Sequence, residues 1–446
     1  MRCFLRMILL VPGIATVLWA AQPGTAGDFP LKDGDVWVMA GDSITAQHLH
    51  SNYFEAFCYA RYPNLKFAFR NSGVGGHTIP STLARFDYDI EAWKPTVVSV
   101  ELGMNDKGGT ATDKFIANMD KFVMRVRDIN ARPIIFAASP VNNGETLARL
   151  GGGNKRLDEY ATALKSFADK QKIPYANQFH DLIDLWGKNK PRESIANSLG
   201  TLKQAAQDDS LAGVEHLRSF LAAQEKSGTP LVSMQGDPVH PGPPGQLMMA
   251  TSLLKQLGAD GFVSSATIDA TGKLVDAKGC KITDIKSEGG GVAFDRLDQS
   301  LPFPIPDNAR QVLPLYPTIL ELSQYTLKVP GLKDGSYTLL VGGVPTATLS
   351  AKELAAGVNL TEFGAEQGKK ANPIVEQMRD VLNAVSSKEG LVSQWRNQSK
   401  AAFAKDADPA LKAKLPEMTK KVEEADAKIR AAATPKKLHF EIVPAK

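Results

Sequence analysis

An α/β fold built on a parallel sheet, followed by a small β-rich module and a helical tail, is what this sequence predicts. Three observations lead there. From Asp35 to about Leu257, short apolar runs alternate with amphipathic stretches, the rhythm of βαβ units. After about Phe262, brief β-type runs take over, parted by turn signals such as Lys333-Asp334-Gly335. From Asn372, apolar residues return at helical spacing. At 446 residues the chain exceeds one ordinary core. It divides into a leader (1–26), a main α/β domain (27–262), a small antiparallel β module (263–371) and a helical C-terminal region (372–446).

The leader carries Arg2 and Arg6, then a nearly unbroken apolar run from Met7 to Ala21, then Gly24-Thr25-Ala26 in the small-x-small form of a cleavage site. A charged start, a short apolar core and small residues read as a secretory signal peptide, hence a secreted or periplasmic protein with no stable membrane span after cleavage. An uncleaved membrane anchor is the alternative. In the α/β domain the expected strands are Val36–Ala40, Phe67–Arg70, Thr96–Leu102, Pro133–Ala137 and Ile173–Ala176. Helices are expected over Thr45–Arg61, over Lys114–Asn130 with Phe115, Met119, Phe122 and Val126 on one face, and over Lys155–Gln171. Asp181–Gly228 reads as a long, mostly helical segment over the rim of the site, and Pro244–Leu257 as the closing helix. The β module shows runs at Thr267–Val275, Cys280–Ile285, Gly291–Phe294, Tyr325–Val329 and Tyr337–Val341, the pattern of a sandwich. Asn372–Trp395 is an amphipathic helix with Ile374, Met378, Val381, Leu382 and Val385 on one side. Pro409–Ala432 is a charged helix, and His439–Val443 a last strand.

Composition narrows the function classes. Hydrophobic residues at 43% and charged residues at 22% are the balance of a globular protein. The formal net charge is +4 and the basic residues are not gathered into one patch, which argues against nucleic acid as a partner. Once Cys3 leaves with the leader, Cys58 and Cys280 remain, in different expected domains. Two independent buried thiols are favoured over a disulfide.

Four motifs bear chemistry. Gly41-Asp42-Ser43-Ile44-Thr45 stands where a strand turns into a helix, so its serine sits on a rigid scaffold at a helix start that favours a developing oxyanion. The same pattern also serves as an ordinary capped turn. Gly236-Asp237-Pro238-Val239-His240 places an acid three residues before a histidine, where it can fold under the ring and accept from Nδ1–H. A loop aspartate beside a solvent-facing histidine is the plain alternative. Gly103-Met104-Asn105-Asp106 follows a buried strand and offers a side-chain amide donor, or simply a polar turn. Asn71-Ser72-Gly73-Val74-Gly75-Gly76 offers glycine N–H donors; it lacks the Lys-Ser/Thr of a phosphate-binding P-loop. His48 and His50, two residues apart, diverge on a helix and read as rim or surface residues rather than metal ligands. Trp93, Trp186 and Trp395 read as packing residues, with Trp186 able to line the rim.

Together and in this order, the four motifs resemble those of the GDSL/SGNH hydrolases, over Val36 to about Leu257. The resemblance implies a three-layer α/β/α, flavodoxin-like domain. It implies Ser43 as nucleophile, His240 as general base and Asp237 as its orienting acid. The oxyanion hole would be Ser43 N–H, Gly76 N–H and the Asn105 side chain. Gly76 is chosen over Gly73 and Gly75 because the family's glycine precedes a polar pair, here His77-Thr78. No cofactor and no metal are implied. His77 departs from the family's commoner Asp or Arg, and the spacer from Tyr175 to Asp237 is long, so specificity stays open. The expected function is two-step hydrolysis of a small ester, foremost an acetyl group on a carbohydrate. A lysophospholipase or thioesterase activity is the lipid alternative, and a non-catalytic surface binding protein that keeps the fold is the other.

Overall fold

The computed structural model describes residues 29–226, 231–364 and 370–445. The expected leader, Met1–Ala26, lies outside the described residues. Five parallel strands form the central sheet: β1 (Asp35–Gly41), β2 (Phe67–Gly73), β3 (Val97–Glu101), β4 (Arg132–Phe136) and β5 (Tyr175–Ala176), in the order β2-β1-β3-β4-β5. This is the doubly wound, flavodoxin-like order, with its reversal at β1. The strands are covered on both faces, as parallel strands are; every residue of β3 is buried. Trp37 stacks on Phe69 across β1 and β2 at 5.4 Å between ring centroids.

The first expected helix is broken. A single turn, α1 (Ser43–Ala46), is followed by a kink where His48 adopts φ +58°, and α2 (His50–Arg61) then begins. Further along come α3 (Thr112–Asp128), α4 (Gly152–Gln171), α5 (Gln178–Ala205), α6 (Val214–Lys226) and α7 (Pro243–Gln256). The expected buried face of α3 is buried as read. Trp186, expected as a packing residue that could also reach the rim, is 1% exposed inside the core.

All twelve residues of α2 are buried, including His50, Ser51, Asn52, Glu55 and Arg61. A helix carrying that many polar groups can be enclosed only if each finds a partner. The enclosing element is α8 (Pro373–Ala402), which lies over α2 with α9 (Pro409–Ala432) packed against it. Met378, Val381, Val385, Val392 and Trp395 of α8, with Val422 and Ile429 of α9, join the same hydrophobic core as the central sheet. Trp395 stacks on Trp93 at 3.5 Å between centroids. Lys388 of α8, fully buried, donates to both oxygens of Glu55 at 2.6 and 2.7 Å and to the Phe69 carbonyl at 2.9 Å. Arg70 of β2 makes a two-pronged bridge to Asp426 of α9 at 3.0 and 2.7 Å.

The β module is two sheets over a second core. One has the order β13-β10-β6-β7, from β6 (Phe262–Ile268), β7 (Leu274–Lys278), β10 (Gln324–Lys328) and β13 (Val358–Asn359). The other has the order β12-β11-β14-β9-β8, from β8 (Cys280–Glu288), β9 (Gly291–Asp298), β11 (Ser336–Val341), β12 (Val344–Ser350) and β14 (Leu438–Pro444). Pairings are antiparallel except β6 with β10, which is parallel. The run expected at Thr267–Val275 is split by a turn in which the Asp269 carboxylate accepts from Thr271 and Lys273 N–H, so it supplies the end of one strand and the start of the next. Cys58 and Cys280 are both free and buried.

Replacing Lys388 with methionine leaves Glu55 enclosed without its cation. Such a loss costs about 3–5 kcal/mol where both partners are buried. Urea unfolding of Lys388→Met is expected to show that loss, and Glu55→Gln/Lys388→Met is expected to recover most of it. Equal stability of Lys388→Met and the native chain would remove this account of how α8 is held.

Candidate active site

The sheet presents three of the expected residues from neighbouring strand ends: Ser43 after β1, Gly76 after β2 and Asn105 after β3. At Gly41 the chain must pass close to α1, since a Cβ there would lie 2.0 Å from Thr45 Oγ1. Asp42 caps α1, its Oδ1 accepting from Ile44 N–H at 3.0 Å. Because α1 is a single turn, its dipole is smaller than a full helix would supply, and the donors themselves must do more.

The histidine arrives from the loop before α7. His240 Nε2 lies 2.8 Å from Ser43 Oγ, and His240 Nδ1 lies 2.9 Å from Asp237 Oδ2. The carboxylate can only accept, so it fixes the proton on Nδ1 and leaves Nε2 to accept from the serine hydroxyl. Asp237 Oδ1 also accepts from the N–H groups of Val239 and His240 at 2.7 and 2.8 Å. Slight desolvation works against the charge, but these hydrogen bonds hold the Asp237 carboxyl below the usual range. The turn demands glycine at 236, where φ is +67° and a Cβ would lie 2.1 Å from the His240 carbonyl oxygen.

The expected donors can each be located. Asn105 Nδ2 donates to the His77 carbonyl at 3.0 Å and reaches Asp42 Oδ2 at 3.5 Å. The second of these is long and weak, leaving one amide hydrogen to turn toward a substrate oxygen. The N–H groups of Ser43 and Gly76 donate to no backbone acceptor among the described residues. A Cβ on Gly75 would lie 3.9 Å from Ser43 Cβ, so the glycine segment passes directly beside the serine.

Sequence reasoning missed the layer that holds the loop. His50, expected at the rim, is 1% exposed beneath the site. Its Nδ1 faces Gln246 Oε1 at 3.1 Å and its Nε2 faces Glu101 Oε2 at 3.2 Å. Burial opposes a charge on this ring, but the neighbouring Glu101 raises its pKa above the ordinary value. Gln246 in turn donates to the Pro241 carbonyl at 2.9 Å, next to His240. On the other side, the Pro238 carbonyl accepts from Asn142 N–H at 2.7 Å, and Glu193 of α5 accepts from Asn142 Nδ2 at 2.9 Å and Met234 N–H at 2.7 Å. The α5 segment, expected as a cover over the rim, thus anchors the loop's approach. The signal available for Gln246 was one polar residue inside an apolar helix; for Glu193 there was none. His48 pairs with Glu389 of α8 at 3.1 Å.

A serine, an imidazole and a carboxylate in line at the carboxyl edge of a 2-1-3-4-5 parallel sheet define a serine esterase of the α/β/α type. Residues 39–247 match the model of the GDSL-like Lipase/Acylhydrolase family. Among solved structures, a gut microbial diltiazem-metabolizing enzyme is similar over 93% of this chain and 99% of its own, at 20% identity and a TM-score of 0.69. An acetylxylan esterase from Geobacillus stearothermophilus is similar over 51% of this chain and 95% of its own, at 19% identity and a TM-score of 0.36. No curated protein matches the sequence.

Asp42, 3% exposed, is pushed by burial from its ordinary 3.8 up to about 7, the Ile44 N–H opposing. The folded chain therefore holds a proton there that the unfolded chain has lost. That stabilisation is complete below about 3.8 and is gone as the pH rises through about 7. Asparagine keeps the capping oxygen and has no such proton to lose. Relative to Asp42→Asn, the native chain is expected to lose stability from about pH 4 to about pH 7, by up to about 1.4 kcal/mol per pH unit. A difference that stays flat across that range in urea titrations would be inconsistent with a neutral Asp42.

Proposed function

We propose that the protein hydrolyses small acyl esters of carbohydrates, acetyl esters foremost, with Ser43 as nucleophile, His240 as general base and Asp237 as its orienting acid. The observation that supports this most is the unbroken chain from Ser43 Oγ through the imidazole to the carboxylate, at 2.8 and 2.9 Å. Ser43 Oγ attacks the ester carbonyl carbon as its proton passes to His240 Nε2. The carbonyl oxygen takes up the negative charge against Ser43 N–H, Gly76 N–H and Asn105 Nδ2. The tetrahedral intermediate collapses, the carbon–oxygen bond to the alcohol breaks, and the alcohol leaves with the proton from Nε2. Water then attacks the acyl-serine, gives its proton to the same nitrogen, and the acid departs as Ser43 regains its hydrogen.

A polar substrate is favoured over a long acyl chain by the cleft that Gly75, the close neighbour of Ser43, helps to line. It measures about 360 Å³ and is lined by charged and hydrogen-bonding side chains, Arg85, Arg396 and Lys400 among them. A lipid tail needs an apolar channel instead. We also place the protein outside the cytoplasm, on the strength of Arg2, Arg6, the Met7–Ala21 run and Gly24-Thr25-Ala26. Mass spectrometry of the exported chain is expected to find a start near residue 27; an intact Met1 in the exported fraction would refute cleavage.

A fluorophosphonate probe is expected to label the native chain and not Ser43→Ala. Asn105→Ala is expected to lower kcat on p-nitrophenyl acetate by about 10²–10³, the loss of one oxyanion donor. Failure of the native chain to label, or faster hydrolysis of long than of short p-nitrophenyl esters, would overturn this reading.

A further inference from the structure

A cleft that reaches toward the serine through Gly75, where an added Cβ would lie 3.9 Å from Ser43 Cβ, is built by two parts of the chain that are more than three hundred residues apart in sequence. One wall is the segment after β2, with Gly75 and His77 on either side of the oxyanion glycine; the other is α8. Ser393, Arg396, Asn397 and Lys400 stand at i, i+3, i+4 and i+7 on α8, which puts all four on one helical face, and all four line the cleft. An acetyl group is far too small to fill about 360 Å³, which leaves room for a sugar unit.

The charge of this cleft is one-sided. Arg396 grips Asp89 with two nitrogens at 2.5 and 2.8 Å, and Arg85 bonds the same carboxylate. Two guanidiniums thus share one counter-ion, and Lys400, exposed at the mouth, has no ion pair among the described residues. Glu389, one turn earlier on α8, is turned to Lys388 and His48 instead. Arg85 Nε donates to His77 Nδ1 at 3.1 Å, which leaves the neutral ring with its remaining hydrogen on Nε2 as a donor. Burial and then Arg85, with Arg396 and Lys400 behind it, push the His77 pKa down, so the ring does not gain a proton from this surplus. Free donors and excess positive charge, with no free carboxylate, describe an anion site.

We propose that this cleft is a specificity site for an anionic sugar, a residue bearing a carboxylate or a sulfate on the alcohol side of the ester, with Lys400 as its exposed cation and Arg396 as its fixed one. The proposal rests on the esterase reading above and names its substrate class. The role of the helical tail follows: α8 supplies the half of the substrate site that a free-standing α/β domain would lack.

The test uses the full chain and three acetylated trisaccharides: one of galacturonate, one of sulfated galactose and one of xylose. The native protein is expected to show a higher kcat/KM, through a lower KM, on one of the acidic substrates than on the neutral one, and the better of the two identifies the anion. Raising the salt concentration is expected to shrink that preference. Lys400→Glu is expected to lower the acidic-to-neutral ratio roughly tenfold, and Lys400→Arg to preserve it. Equal rates on acidic and neutral trisaccharides, or a ratio unmoved by Lys400→Glu, would overturn the anion site while leaving the esterase intact. Failure to hydrolyse any of the three and p-nitrophenyl acetate as well would bring down both.

Discussion

The reversal of strand order at β1 governs this molecule. To one side of β1 the sheet continues to β2, to the other it continues to β3, and the connections leave toward opposite faces. The strand ends therefore open a crevice that no helix fills. Ser43, Gly76 and Asn105 follow three adjacent strands, so the spacing of a hydrogen-bonded sheet brings their segments side by side, and the bond from Asn105 to the His77 carbonyl ties the last two together. Only the histidine must be brought from elsewhere. It comes in a loop tied on one side by Asn142 to Pro238 and on the other by Gln246 to Pro241. The imidazole sits on a strap fastened at both ends, and the exposure of Asp237, 59% at its side chain, costs little geometry as a result.

The second constraint is polar burial. An α2 that encloses His50, Glu55 and Arg61 is costly unless each group is answered, and the answers come from distant segments: Glu101 and Gln246 for His50, Lys388 for Glu55, the Asp260 carbonyl and Ser300 for Arg61. Removing one partner of such a pair leaves a buried charge without its counter-ion, so each pair fixes how α8 seats on α2. The same seating puts Arg396 against Asp89 and the Gly73 carbonyl, beside the crevice.

Much of this was legible beforehand because it depends on short-range pattern. Val36–Ala40 is apolar in both alternating positions, as a covered parallel strand is, and it falls where β1 lies; the apolar run Val97-Val98 with Val100 and Leu102 likewise marks β3. Asp237 and His240 meet because a three-residue spacing and a glycine turn are local properties. The break at His48 was hidden, since Thr45–Arg61 contains no proline or glycine to announce it; the turn is imposed by packing. His50 was misplaced for the same reason: its surroundings are long-range, and a polar residue before an apolar stretch reads as surface. The polar stripe from Ser393 to Lys400 was not read from the sequence, since a stripe facing water and a stripe facing a cleft have the same spacing. What distinguishes them is which face Trp395 and Val392 turn inward, and that is settled only by Trp93 and the helix beneath.

The position of β14 has a consequence for how the protein is made. It is paired on both edges, between β9 and β11, although it is drawn from residues 438–444 and its neighbours from residues 291–298 and 336–341. During synthesis the second sheet is therefore split by an empty lane, with two rows of unpaired backbone groups, until the ribosome has passed the last of these residues. The α2 surface waits for α8 over much of the same interval. A chaperone that shields strand edges would have its longest task here.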